Sequence, residues 1–151
     1  MSELARVGFL QPLSVEYVGE RRWRVVRPLR FRLPDGADVE VPAGFETDLA
    51  SIPRIAWTVV APWDVAPAAV VHDYLYARIR ETRQLSFTQR WSLKLYADGV
   101  MYLGMAFCSP PVARWRRVLV YLAVLAFGYR AMLPRENGGG VSEKPGGRGD
   151  A

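Results

Sequence analysis

Leu29-Arg30-Phe31-Arg32-Leu33-Pro34-Asp35-Gly36 decides the first half of the fold. Large apolar side chains alternate with arginine, so one set faces a core and the other faces water, which is the period of a strand. Pro34-Asp35-Gly36 is a turn signal, and Val39 to Val41 predicts the returning strand. Toward the N-terminus, Trp23 and Val25 alternate with Arg22 and Arg24, and Phe9 to Val18 is an apolar stretch broken by Pro12. Residues 9–42 therefore predict a small antiparallel meander with an Arg-rich outer face.

Beyond this region the period changes from two to three and four. Ala66 to about Arg80 lacks internal glycine, and Pro67 falls where a first helical turn tolerates proline. Ser86-Phe87-Thr88-Gln89 fits a capping box, and the helix it opens runs to about Ala106. Trp91, Leu95, Asp98, Tyr102 and Met105 recur on one expected face of that helix. Ser109-Pro110-Pro111 begins a third helix expected to reach about Met132. The fold class expected is α+β: the meander in the N-terminal third packed against two or three helices. Residues 1–135 form a single domain in this reading, and 136–151 a disordered Gly-rich tail.

Composition bounds the function. The chain has 151 residues, half of them hydrophobic, and a net charge of +5. That size suits one core. Of its 20 basic residues only Lys94 and Lys144 are lysine, an arginine bias that points to a GC-rich coding genome. Cys108 is alone, so no intrachain disulfide forms and a Cys/His zinc site lacks ligands. No signal core is present at Met1 to Arg6, and the longest apolar run, Val118 to Tyr129, falls short of the roughly 20 residues of a spanning helix. It reads as a buried core helix. The expected location is the host cytoplasm or a virion, without a transmembrane segment.

Three segments carry the chemistry. The sole histidine, His72, lies in His72-Asp73-Tyr74-Leu75-Tyr76, and on a helix it shares a face with Tyr76. It is either a hydrogen-bonded core histidine or a general base. Asp98, an acid on an apolar stripe, needs a buried partner, and His72, Tyr76, Arg54 and Arg90 are candidates. In Thr47-Asp48-Leu49-Ala50-Ser51-Ile52-Pro53-Arg54, Thr47 or Asp48 can cap a turn with Ser51 bonding back. Asp48 can also hold a cation, and Ser51 and Arg54 are ligand-binding candidates, although no Gly-x-Ser-x-Gly elbow surrounds Ser51. Six arginines between Arg21 and Arg32 can dock on phosphates, but a solvated strand face is the commoner cause. No base-stacking platform accompanies them, so nucleic acid ranks last among partners.

The order Val41-Pro42-x-Gly44-Phe45-x-Thr47-Asp48-x-Ala50-Ser51-Ile52-Pro53-Arg54, then His72-Asp73-Tyr74-Leu75-Tyr76, then Ala97-Asp98 with Met101 and Gly104, resembles a phage and prophage family known only as a domain of unknown function. The resemblance covers about residues 9–130. It implies origin in a phage, prophage or gene-transfer element and carries no established activity. His72-Asp73-x-x-Tyr76 followed by Ala97-Asp98 is also similar to the active-site helix pair of phospholipase A2 enzymes. That likeness implies His72 as base, Asp73 as a calcium ligand, Asp98 as the acid orienting the histidine, and Tyr76 as its support. The glycine-rich calcium loop of those enzymes is absent, with Ala61-Pro62-Trp63-Asp64 in its place.

The expectation that follows is a phage- or prophage-encoded hydrolase acting on host envelope lipid or cell wall, with calcium as its candidate cofactor. The alternative is a non-enzymatic virion or assembly component that docks other phage proteins through the Arg-rich face.

Overall fold

The computed structural model describes residues 6–49 and 52–134. Among them are strands β1 (Gly8–Phe9), β2 (Val15–Gly19), β3 (Arg22–Val25), β4 (Leu29–Arg32), β5 (Asp38–Val41) and β6 (Glu46–Thr47). Helices α1 (Ala66–Glu81), α2 (Phe87–Met105) and α3 (Arg114–Phe127) follow, with 3-10 turns at Arg54–Thr58 and Arg130–Met132. The fold is α+β.

The alternation in β4 buries Leu29 and Phe31, and β5 pairs with it so that Val39 and Val41 join the same face. The strands nevertheless do not form one meander. They divide into two antiparallel sheets, ordered β1-β4-β5 and β2-β3-β6. The break falls at Arg27-Pro28, between β3 and β4, where proline has no amide to give to a ladder. At the tip of β2–β3, Glu20 and Arg21 both take positive φ, the backbone of a two-residue turn whose twist matches its strands.

The Arg-rich outer face is paired acid for base across the strands. Arg24 stands opposite Glu16 on one side and Glu46 on the other; Arg30 faces Glu40, and Arg32 faces Asp38. Each makes the corresponding ion pair, Arg24–Glu46 at 2.9 Å and Arg32–Asp38 at 2.8 Å among them. Such exposed pairs add at most about 1 kcal/mol each. Their larger effect is to cancel the local field that an anionic partner would feel.

α1 is the central element. Val70 and Val71 close the β4–β5 face together with Val100 of α2, and Ala68 and Ala69 meet Met101 and Met105. A Cβ added at Gly104 would lie 3.1 Å from Ala68 Cβ, so this glycine sets how closely α1 and α2 approach. The Ser86–Gln89 capping box is present at the start of α2.

Three helical expectations are corrected. The inward face of α2 carries Arg90, Lys94, Ala97, Asp98, Met101 and Met105, while Leu95 is exposed and Trp91 and Tyr102 are half-buried. The apolar stripe therefore sits to one side of the true interface, because two of its buried residues are cations. Arg90 is held there by the carbonyls of Ile79, Thr82 and Arg83, so it closes the C-terminal end of α1 rather than pairing with Asp98. The third helix is shorter than expected. Ser109-Pro110-Pro111 stays non-helical up to Ala113, and Gly128 ends the helix. Nor is α3 a buried core helix, for only Val120 and Val124 are buried along it. The expected tail, residues 136–151, lies outside the described residues.

Candidate functional site

The packing of α1 against α2 brings His72, Tyr76 and Asp98 together. His72 Nε2 lies 2.9 Å from Asp98 Oδ1, and the Tyr76 hydroxyl donates to the same oxygen at 2.6 Å. Lys94, one turn before Asp98, donates from Nζ to Oδ2 at 2.6 Å. The side chains of His72, Lys94 and Asp98 are all fully buried.

The charge states follow from this geometry. Burial pushes the Asp98 carboxyl up, but the hydrogen bonds from His72, Lys94 and Tyr76 outweigh it and hold the carboxyl below its usual range. Asp98 is thus an anion beside the Lys94 ammonium. Burial drives the His72 pKa down, against the bond and charge of Asp98, and the Lys94 charge adds to the lowering. A neutral imidazole facing a carboxylate must place its proton on Nε2, since an ionised carboxylate only accepts. The other nitrogen, Nδ1, then carries a bare lone pair, and it is buried without a hydrogen-bond partner. Burial, followed by the bond and charge of Asp98, raises the Tyr76 phenol well beyond its normal range, so it stays protonated.

On the far side of Tyr76 a cleft of about 740 Å³ opens, lined among others by Thr47, Asp48, Asp73, Tyr76, Arg80 and Arg130. β6 supplies Thr47, α1 supplies Asp73, Tyr76 and Arg80, and the turn after α3 supplies Arg130. Thr47 is used twice. Its hydroxyl accepts from the Leu49 amide at 3.0 Å and donates to Asp73 Oδ2. In place of the expected cap on a turn of helix, Thr47 makes a local bond to the amide two residues on, where Leu49 adopts a φ of 54°.

Asp73 is the unusual group. Its Oδ1 is buried and has no hydrogen-bond partner. Its pKa is pushed up to about 7, first by burial and then by the neighbouring Asp48 charge, with the Thr47 bond and the Arg80 charge pulling the other way. A carboxyl in this range exchanges protons near neutral pH, and such groups concentrate at functional sites.

The sequence candidates divide accordingly. His72, Tyr76 and Asp98 form one connected group, and Tyr76 joins it to the cleft that holds Asp73 and Asp48. Arg54 is elsewhere: exposed at the start of its 3-10 turn, not lining the cleft, and paired with neither Asp98 nor Asp73. Ser51 lies outside the described residues. For calcium, Asp48 and Asp73 both border the cleft, but among the described residues no three His, Cys, Asp or Glu side chains gather to hold a metal ion. Calcium takes six to eight oxygens, so these two carboxyls are at most a part of such a shell.

Sequence reasoning missed Lys94. The signal was present, because it is one of two lysines in a chain that otherwise uses arginine, placed four residues before the buried acid. Cys108, by contrast, is as plain as expected: buried, with its thiol raised to about 11 by burial and donating weakly to the Gly104 carbonyl.

A family model described as "Protein of unknown function (DUF1353)" matches residues 23–124, more than half of the chain. No curated protein and no solved structure matches.

Proposed function

The chain belongs to the DUF1353 family of proteins of unknown function, and on that premise we propose that it is a phage- or prophage-encoded hydrolase of host envelope material in which Asp73 transfers the proton. The observation that carries this reading is Asp73 itself, a carboxyl with one bound and one free oxygen, titrating at about 7, at the wall of a polar cleft. General acid–base catalysis works best when the pKa of the group lies near the working pH. Asp73 lines the cleft with its Oδ2 held by the Thr47 hydroxyl, and in this reading the carboxyl takes a proton from water or gives one to a leaving group there. Arg80 and Arg130 border the same cleft and offer N–H donors to a phosphate or carboxylate, groups common to lipid headgroups and cell-wall polymers.

In this reading the proton-transfer role that the phospholipase likeness implied for His72 passes to Asp73. His72, Asp98 and Lys94 act as positioning residues, holding Tyr76 against the cleft through Asp98. The phage origin is supported by the motif order along about residues 9–130.

The test is turnover on two substrates, peptidoglycan sacculi and phospholipid vesicles, by the purified chain and by Asp73→Asn. Hydrolysis of either with a pH profile inflecting near 7, lost in a folded Asp73→Asn, is the expected result. No turnover of either substrate by the intact chain overturns the reading. A second reading, a non-enzymatic virion or assembly component, is favoured by one observation: the only histidine is sealed from solvent. Its docking surface would not be the Arg-rich strand face, where acids pair with the arginines.

A further inference from the structure

α3 is the least buried helix of the fold and the most apolar on its outside. Trp115, Val118, Leu119, Leu122 and Ala126 stand at i, i+3, i+4, i+7 and i+11 and are all exposed, Trp115 at 59% and Leu122 at 52%. At about 100° per residue they form one stripe opposite the buried Val120 and Val124. Arg114 and Arg116 flank it on either side at its N-terminal end, and Phe127, Tyr129 and Arg130 lie at the other end. From Gly99 to Arg135 the sequence contains no aspartate or glutamate. Among the described residues none of Arg114, Arg116, Arg117 or Arg130 is in an ion pair. The 3-10 turn packed against α3 also exposes Ile55 and Trp57 and begins with Arg54.

We propose that this face of α3 docks on the surface of an anionic phospholipid bilayer. Charge complementarity selects that occupant. A second copy pairing α3 on α3 would bring arginines together in either orientation, with no acid on the helix to offset them. A bilayer interface takes both features at once: the aliphatic and aromatic stripe enters the acyl boundary while the flanking arginines meet phosphate. Trp115 and Tyr129 suit the headgroup level, being apolar with a polar tip. No described helix is long and apolar enough to cross the membrane, so the contact is peripheral. The end of α3 runs into Arg130 and Ala131, which border the cleft, so docking would bring the cleft rim close to the bilayer. The docking stands on the α3 face alone and does not require that the cleft be catalytic.

Vesicle flotation separates the outcomes. The full chain is mixed with vesicles of phosphatidylcholine, or of equal parts phosphatidylcholine and phosphatidylglycerol. It is compared with Leu119→Glu/Leu122→Glu and with Arg114→Gln/Arg116→Gln, all substitutions at exposed positions, with circular dichroism checking that each folds. The expected result is binding to the anionic vesicles, weakened roughly thirtyfold by removing the two arginines and further by added salt. The double glutamate substitution abolishes it. No binding to anionic vesicles, or binding that ignores the leucine substitutions, overturns the proposal. So does a dimer in sedimentation that the same leucine substitutions dissolve, because a second copy then covers the face.

Discussion

Replacing Lys94 with methionine removes one charge from a site that has no solvent to replace it. Lys94 Nζ is 2.6 Å from Asp98 Oδ2, both side chains are fully buried, and the ammonium also lies 5.3 Å from the centre of the Trp91 ring. Methionine fills similar volume, so the change is mainly electrostatic: Asp98 keeps its bonds from His72 and Tyr76 but loses its counter-charge. Removing one partner of a buried pair costs about 3–5 kcal/mol, a large part of a typical stability of about 5–15 kcal/mol. At about 2–4 °C per kcal/mol the melting temperature should fall by roughly 6–20 °C. A second readout comes from the imidazole, which is unambiguous because the chain has one histidine. The Lys94 charge helps to hold the His72 pKa down. In Lys94→Met the ring should therefore take up its proton at higher pH, which nitrogen NMR of the imidazole reads directly. Adding Asp98→Asn removes the stranded anion, so the double variant should be less destabilised than the sum of the two single ones. A loss below about 1 kcal/mol by urea unfolding, with an unmoved imidazole titration, would refute the buried pair.

Other substitutions probe neighbouring parts of the same argument. Folded Asp73 keeps its proton up to about pH 7, whereas an unfolded aspartate loses it near 3.9, so raising the pH between these values takes stability away. Asp73→Asn removes that loss, and its urea midpoint should exceed that of the parent most at pH 7 and approach it toward pH 4. Buried neutral His72 acts in the opposite sense. Below about 6.5 the unfolded chain binds a proton that the fold does not, so Asp73→Asn should lose stability on acidification more steeply than the parent. Thr47→Val deletes the donor that lowers the Asp73 pKa, and the carboxyl should titrate above 7 by infrared or carbon NMR. At Gly128 an added Cβ would sit 2.6 Å from the Tyr76 hydroxyl and from the Val124 carbonyl. Gly128→Ala should cost about 1–3 kcal/mol by thermal unfolding and shift the Tyr76–Asp98 bond.

The strands and the capping box of α2 were legible in the chain because they depend on neighbours in sequence, and the central group because a buried acid demands a partner. Alternation at Leu29–Leu33 and Val39–Val41 fixes which side chains of a hairpin share a face, whatever packs on it. Ser86 and Gln89 meet within a single helical turn. An acid placed among apolar residues must find a partner, which made Asp98 with His72 and Tyr76 readable as a group. The tertiary structure decided which faces those elements bury. The inward side of α2 holds Arg90 and Lys94, so counting apolar residues chose a neighbouring stripe, and Lys94 was recognised only once Asp98 lay against it. Cross-strand register set Arg24 beside Glu16 and Glu46, turning an apparent cationic surface into paired charges. The apolar run Val118 to Tyr129 read as a buried core helix, but the packing of α3 on α2 buries only Val120 and Val124 and leaves the other side open. Asp73 differs from an exposed helical aspartate because the packing of β6 on α1 buries its carboxyl and brings the Asp48 charge near, while Thr47, from a strand more than twenty residues earlier, bonds to it. Periodicity belongs to the chain; burial belongs to the elements that meet across it, and both the charge states and the cleft follow from burial.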